Sequence, residues 1–224
     1  TFPFLDSTGA ELSLGNLLTL VAITGHGKSL IKAYLTRRLI TRGKNVLYIG
    51  FEETKEEFNA RVGRGFLNLT EYQLNQLTPE EYRTGLREFF NKKNIKRGQL
   101  DFVQVSGMNV EDLTEFTREL ETDKGYRYDA VMIDYSRYLT QKKKTKDTKD
   151  YAEQEYVFKK LKEFAMTPND RRLVITSVQA NRAAYLKNSS PKLENLAGSM
   201  GPAHNSDLVL GIFRKGVASQ SNKQ

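Results

Sequence analysis

A mostly parallel β-sheet covered by helices on both faces is the fold class this sequence predicts. Three observations lead there. Several short runs are apolar throughout, without the alternation of a half-exposed strand, so both faces of the sheet must be covered. Stretches of helical period separate those runs, which is the βαβ order of a parallel sheet. The first run enters a glycine-containing loop that opens straight into a helix. The length of 224 residues, with 38% hydrophobic and 28% charged residues, suits a single globular domain spanning 1–224.

Taken in order, "LLTLVAIT" (17–24) is a β-branched apolar run that reads as a buried strand. In "SLIKAYLTRRLITRG" the apolar residues Leu30, Ile31, Leu35, Leu39 and Ile40 recur at helical spacing, and Gly43 stops the helix. "KNVLYIGF" is the second strand. Residues 54–98 form a charged helical excursion between strands. Within it, Thr78, Pro79 and Glu81 make an N-cap, N1 and N3 signature. "LDFVQVS" is a strand, "NVEDLTEFTRELETDKG" an amphipathic helix and "YDAVMIDYS" a strand. "YAEQEYVFKKLKEFAMT" is a helix, followed by the strands "RRLVITSVQ" and "SDLVLGIF".

The loop "AITGHGKSL" (22–30) lacks one methyl-free position of the phosphate-loop pattern G-x-x-x-x-G-K-[ST]. Ala22 stands at the first glycine, and Gly25-His26-Gly27-Lys28-Ser29 is intact. With a strand before and a helix after, the context is the one that chemistry needs. Glycines let backbone N–H groups close around phosphate oxygens, and the helix start adds partial positive charge. Gly25, His26, Gly27, Lys28, Ser29 and Leu30 are therefore the nucleotide-binding set. Lys28 is placed to reach the β and γ phosphates and Ser29 to ligate Mg²⁺. An ordinary strand–helix turn with a stray lysine is the bland alternative.

Two further strands end in carboxylates. Asp134 closes "AVMID", where an acid costs burial energy unless it has a partner; it is assigned to the Mg²⁺ shell through water, against a helix-capping role. Glu52 and Glu53 close "YIGF", and Glu52 is preferred as the general base that polarises the attacking water. The alternative there is a solvated pair opening the next helix. Gln179 ends a third strand, where it can touch a γ-phosphate; a glutamine at a strand end has many bland roles as the alternative.

Composition excludes other chemistries. There is no cysteine, hence no disulfide and no thiolate metal site. Two histidines, His26 and His204, are too few for a histidine cage. No apolar run approaches the roughly 20 residues of a membrane span. The opening "TFPFLDSTG" lacks the basic start and apolar block of a secretory leader. A net charge of +8 favours a polyanionic partner.

"GHGKS", "NVLYIGFEE", "VMIDYSRYL", "SVQANR" and "GSMGPAHNSDLVLGIFR" occur in the order seen in one family. The chain resembles the RecA-like motor domain of hexameric replicative DNA helicases, the DnaB and bacteriophage group, over about residues 15–215. The resemblance implies that Lys28 and Ser29 bind phosphate and Mg²⁺, Glu52 is the catalytic base, Asp134 supports the metal and Gln179 senses the γ-phosphate. It also implies that Arg214, in "GIFRK", is an arginine finger reaching the neighbouring subunit's ATP. Without the family, Arg214 reads as a surface cation after an edge strand. Ala22 and His204 depart from the family pattern. The collar or primase module of those helicases is not in this sequence, which reads as a motor fragment or a minimal protein.

Two basic stretches follow the aspartate and glutamine strands. "QKKKTKDTK" (141–149) carries Lys142, Lys143, Lys144 and Lys146; residues 181–200 carry Arg182 and Lys187, with Gly198 and Ser199 behind them. In RecA-like motors these loops face the channel and track the phosphates of single-stranded DNA, with contacts that weaken in salt. A solvated, mobile lysine loop is the alternative. Tyr138 and Tyr185 are the few aromatics there, so phosphate tracking is expected over base stacking. The resemblance implies a homo-oligomer, a ring of six or a filament, with primase and other replication proteins as partners and a cytoplasmic setting in a bacterial or phage-infected cell. A RecA- or clock-type ATPase, a non-enzymatic P-loop scaffold and a small-molecule kinase are the rival readings.

Overall fold

The computed structural model describes residues 12–23, 25–134, 136–142, 150–180 and 201–212. Six parallel strands form the main sheet: β1 (Leu17–Ala22), β2 (Val46–Gly50), β3 (Leu100–Gln104), β5 (Ala130–Asp134), β7 (Leu173–Gln179) and β8 (Leu208–Gly211), in the order β3-β2-β5-β7-β1-β8. Two short strands, β4 (Met108–Asn109) and β6 (Leu139–Thr140), pair in parallel apart from it. Among the described residues the helices are α1 (Lys28–Ile40), α2 (Lys55–Leu67), α3 (Glu71–Asn75), α4 (Pro79–Lys92), α5 (Leu113–Lys124), α6 (Asp150–Ala165) and α7 (Gly201–Asn205).

The apolar runs are explained by their two covered faces. Alternate residues of one strand enter opposite layers. Leu17, Leu47, Val131 and Val174 pack with Leu113 of α5 and Val157, Phe158 and Leu161 of α6. Leu18, Tyr48, Met132 and Ile175 pack with Ala33, Leu35 and Leu39 of α1, Phe58 and Val62 of α2 and Phe90 of α4. Every residue of β1, β2 and β5 is buried.

The helical excursion is started three times by the same device. Thr54, Thr70 and Thr78 each cap a helix, with Glu57, Gln73 and Glu81 returning the bond to the cap backbone. Each such cap is worth about 1 kcal/mol. The helix α5 begins later than its period suggests, because Val110–Asp112 form a 3-10 turn behind β4. Among the described residues no helix is long and apolar enough to cross a membrane.

Strand register aligns the tips of the central strands. Gly50 lies beside Asp134, and Ala22 lies beside Gln179. The carboxyl ends of β1, β2, β5 and β7 therefore lie side by side on one edge of the sheet, the edge where open α/β sheets bind ligands.

Candidate functional site

That end holds a pocket of about 290 Å³. Gly25, Gly27, Lys28, Ser29 and Leu30 form one wall; Lys32, Glu52, Arg61, Asp134 and Gln179 complete it. Of the nucleotide-binding set, only His26 does not line it; its backbone N–H donates to the Ile23 carbonyl at 3.2 Å.

The loop's glycines are required by conformation. Gly25 and Gly27 have φ of +82° and +94°, and a Cβ at either would meet nothing closer than the Leu30 Cδ1 at 3.9 Å. L-residues avoid that region, so the left-handed turn, and not lack of room, demands glycine. Gly27 is also the N-cap of α1, with no side chain over the helix start. With no side-chain cap at that start, the amino end of the helix presents its partial positive charge to an anion. Lys28 bends back toward the Ala22 carbonyl, its Nζ 3.4 Å away. Burial holds its ammonium below the usual lysine range and Lys32 adds to that, while Asp134 and Glu52 oppose it.

Asp134 is held from three sides. Lys32 Nζ makes an ion pair with Oδ2, the Tyr48 hydroxyl donates to the same oxygen at 3.0 Å, and Ser177 Oγ donates to Oδ1 at 3.2 Å. Lys32 is 1% exposed. Burial pushes its ammonium down, and the neighbouring Asp134 carboxylate restrains the shift. Tyr48 also lies 3.2 Å from Glu53 Oε2. A phenol has one proton, so it serves one carboxylate at a time, and burial beside Asp134 keeps that proton on it.

The two glutamates part company. Glu53 is 8% exposed and ion-paired with Arg61 of α2, so it is not the solvated residue that the charged run suggests. Glu52 borders the pocket, and its Oε1 accepts from the Tyr138 hydroxyl at 2.9 Å. The Tyr138 ring stacks on Phe51, with centroids 5.5 Å apart and planes at 16°. Tyr138 thus meets two residues just past β2, one of which borders the pocket, without lining the pocket itself. Lys142, at the start of the basic loop, pairs through Nζ with Asp112, and its backbone N–H reaches the Glu111 carboxylate at 3.2 Å.

Lys143, Lys144, Lys146, Arg182, Lys187, Gly198, Ser199 and Arg214 lie outside the described residues, as does Tyr185. Sequence reasoning missed Lys32, Tyr48, Arg61 and the contact of Tyr138 with Glu52. Lys32 carried a signal, since it stands four residues after Lys28 on the same helix face. Arg61 follows the buried Phe58 by three. Tyr48 sits inside an apolar run and reads as core, which its ring is.

The donor set suits a nucleotide triphosphate with a divalent cation. Left-handed glycines, uncapped helix amides and the cations Lys28, Lys32 and Arg61 border one pocket. Ser29 and Asp134 border the same pocket. Among the described residues no three His, Cys, Asp or Glu side chains form a metal cage. A cation here would take ligands from Ser29, water and phosphate, the habit of Mg²⁺.

A family model described as the DnaB-like helicase C terminal domain matches residues 1–224. No curated protein matches the chain. Among solved structures, the ATPase domain of a phage protein aligns with a TM-score of 0.77 at 17% identity, covering 99% of this chain and 78% of that one. A DnaB-like replicative helicase, described with its interactions with primase, aligns with a TM-score of 0.74 at 17% identity, covering 95% of this chain. The chain spans 50% of that helicase's length.

Proposed function

The chain belongs to the family of DnaB-like helicase C-terminal domains, and from that premise we propose that it is an ATP-driven motor that translocates on single-stranded DNA and unwinds duplex. One observation supports this most. Lys28, Ser29, Glu52, Asp134 and Gln179, drawn from four separate segments, border one pocket at the carboxyl end of a parallel sheet.

Lys28 and the first amides of α1 bind the β and γ phosphates. Ser29 and, through water, Asp134 would hold Mg²⁺, which would supply charge neutralisation at the phosphates. Glu52 orients the attacking water and takes its proton. Gln179 reports whether a γ-phosphate is present. Arg214 acts on the neighbouring subunit's ATP, which calls for head-to-tail subunits closed into a ring, of six in the family reading. The basic stretches 141–149 and 181–200, with Lys142, Lys143, Lys144, Lys146, Arg182 and Lys187, track DNA phosphates. For Lys142 this means exchanging Asp112 for a phosphate. A primase is the partner suggested by the structural relative, and the cytoplasm is the setting.

Steady-state ATP hydrolysis with and without single-stranded DNA, at two salt concentrations, tests the reading. DNA should stimulate the rate, the stimulation should fade with salt, and Lys28→Ala should abolish it. A rate indifferent to DNA would contradict the motor and favour an assembly or signalling ATPase.

A further inference from the structure

We propose that Tyr138 is a positioning residue that latches Glu52 in the resting state and ties its release to Lys142. The inference rests on the motor reading and names how DNA would regulate that site.

The contact spans the two halves of the machine. The Tyr138 hydroxyl donates to Glu52 Oε1 at 2.9 Å, and its ring stacks on Phe51. One side chain therefore grips two consecutive residues at the end of β2. Tyr138 closes the 3-10 turn Ser136–Tyr138 and leads directly into β6. That turn is anchored near Asp134, because Ser136 Oγ donates to the Ser177 carbonyl at 3.2 Å. Lys142 stands only four positions beyond Tyr138 in the chain.

The far end of the segment is held by acids. The strand β6 pairs with β4 through Met108↔Leu139 and Asn109↔Thr140, and Thr140 Oγ1 lies 3.2 Å from Asn109 Oδ1. Lys142 is fixed by Asp112 and Glu111. Glu111 is itself oriented by the Tyr156 hydroxyl at 3.0 Å. A phosphate backbone competes with those carboxylates for Lys142, anion for anion. Taking Lys142 loosens the segment at one end and shifts the tyrosine at the other.

The surroundings of the latch keep it weak. Tyr138 is 38% exposed, so water can replace either partner of the hydrogen bond. A hydrogen bond of this kind biases an equilibrium by about three- to tenfold. That suits a contact that must open in each cycle. While it is made, Tyr138 fixes where the Glu52 carboxylate sits; a general base has to reach its water within hydrogen-bond distance.

The test is kcat and KM for ATP, with and without oligo-dT, for wild type and Tyr138→Phe, together with oligo-dT affinity. The phenylalanine keeps the stack on Phe51 and removes the hydroxyl. We expect DNA-free kcat to rise about three- to tenfold, with KM and DNA affinity unchanged, and stimulation by DNA to shrink by the same factor. Asp112→Asn, at a residue that does not border the pocket, should raise DNA-free kcat in the same direction by weakening the hold on Lys142. A DNA-free kcat that is unchanged or lowered by Tyr138→Phe overturns the latch. A wild type that ignores DNA overturns the coupling together with the motor reading. A wild type that responds to DNA alongside a Tyr138→Phe variant that responds equally overturns the latch alone.

Discussion

Buried charge gathers at both ends of the sheet, and the two ends handle it differently. At the amino end, Arg172 has a side chain 1% exposed and lies between Glu121, at 3.1 Å, and Asp170, with its guanidinium 5.0 Å over the Phe164 ring. Asp170 also takes Arg127 at 2.7 Å, and Asp101 accepts from both Tyr126 and Tyr128. These partners face one another across strand starts. At the carboxyl end, Lys28, Lys32 and Arg61 and the carboxylates Glu52 and Asp134 all border an open pocket. The lesson is one of geometry. Charges that close on each other leave a costly orphan when one partner is removed, while charges that converge on a space are arranged for something that enters it.

That contrast can be broken at its strongest point first. Glu52→Gln should lower ATP turnover by about 10²–10⁴-fold, the range for a removed general base, and leave the urea midpoint unchanged. A loss of stability instead would place Glu52 with the amino-end network. Arg172→Leu should do the reverse. Removing one partner of a buried pair costs about 3–5 kcal/mol. The low end, about 3, is expected because Asp170 keeps Arg127 and Glu121 keeps the Tyr128 backbone N–H at 2.8 Å. Urea unfolding reads the loss, and KM for ATP should stay put.

Lys32 sharpens the comparison because it belongs to both ends' logic. It is as buried as Arg172, yet its partner Asp134 opens onto the pocket. Lys32→Met should cost about 1–3 kcal/mol without ligand, the penalty of an under-satisfied buried group, since Tyr48 and Ser177 still hold Asp134. Adding Mg²⁺ and ADP should recover part of it in a thermal melt. A loss indifferent to ligand would make Lys32 purely structural.

The smallest effect is alkaline. Burial and the Asp101 carboxylate push the Tyr126 phenol up from 10 to about 12. Below pH 10 neither folded nor unfolded protein ionises it. Between 10 and 12 the unfolded chain gives up the proton and the folded chain does not, so stability falls across that window. Tyr126→Phe should make the decline of the urea midpoint shallower there, with Tyr128 supplying what remains.

Much of the fold and the site was legible in the sequence, for identifiable reasons. The strands are short apolar runs and the glycine loop has fixed spacing, so β1, β2, β5 and β7 and the residues at their tips announce themselves. Thr78 and Glu81 declare their helix start because a cap is a local event. Partners that meet only through the fold stay hidden. Lys32 is one lysine among many until burial next to Asp134 distinguishes it, and Arg61 is one charge in a charged helix until it meets Glu53. Tyr138 reads as a channel aromatic because chain order puts it before the lysines; only register turns it toward Glu52. The ladder of β4 and β6 has two residues per strand, too short for any periodicity.

The most direct measurement is calorimetric titration of ADP with Mg²⁺ into wild type and Lys28→Ala. One nucleotide should bind per wild-type chain, affinity should drop about 10- to 100-fold in the variant, and the two proteins should melt at equal temperatures without ligand. Equal affinity in both proteins would contradict a nucleotide site at the carboxyl end, and the convergence of charge there would need another occupant.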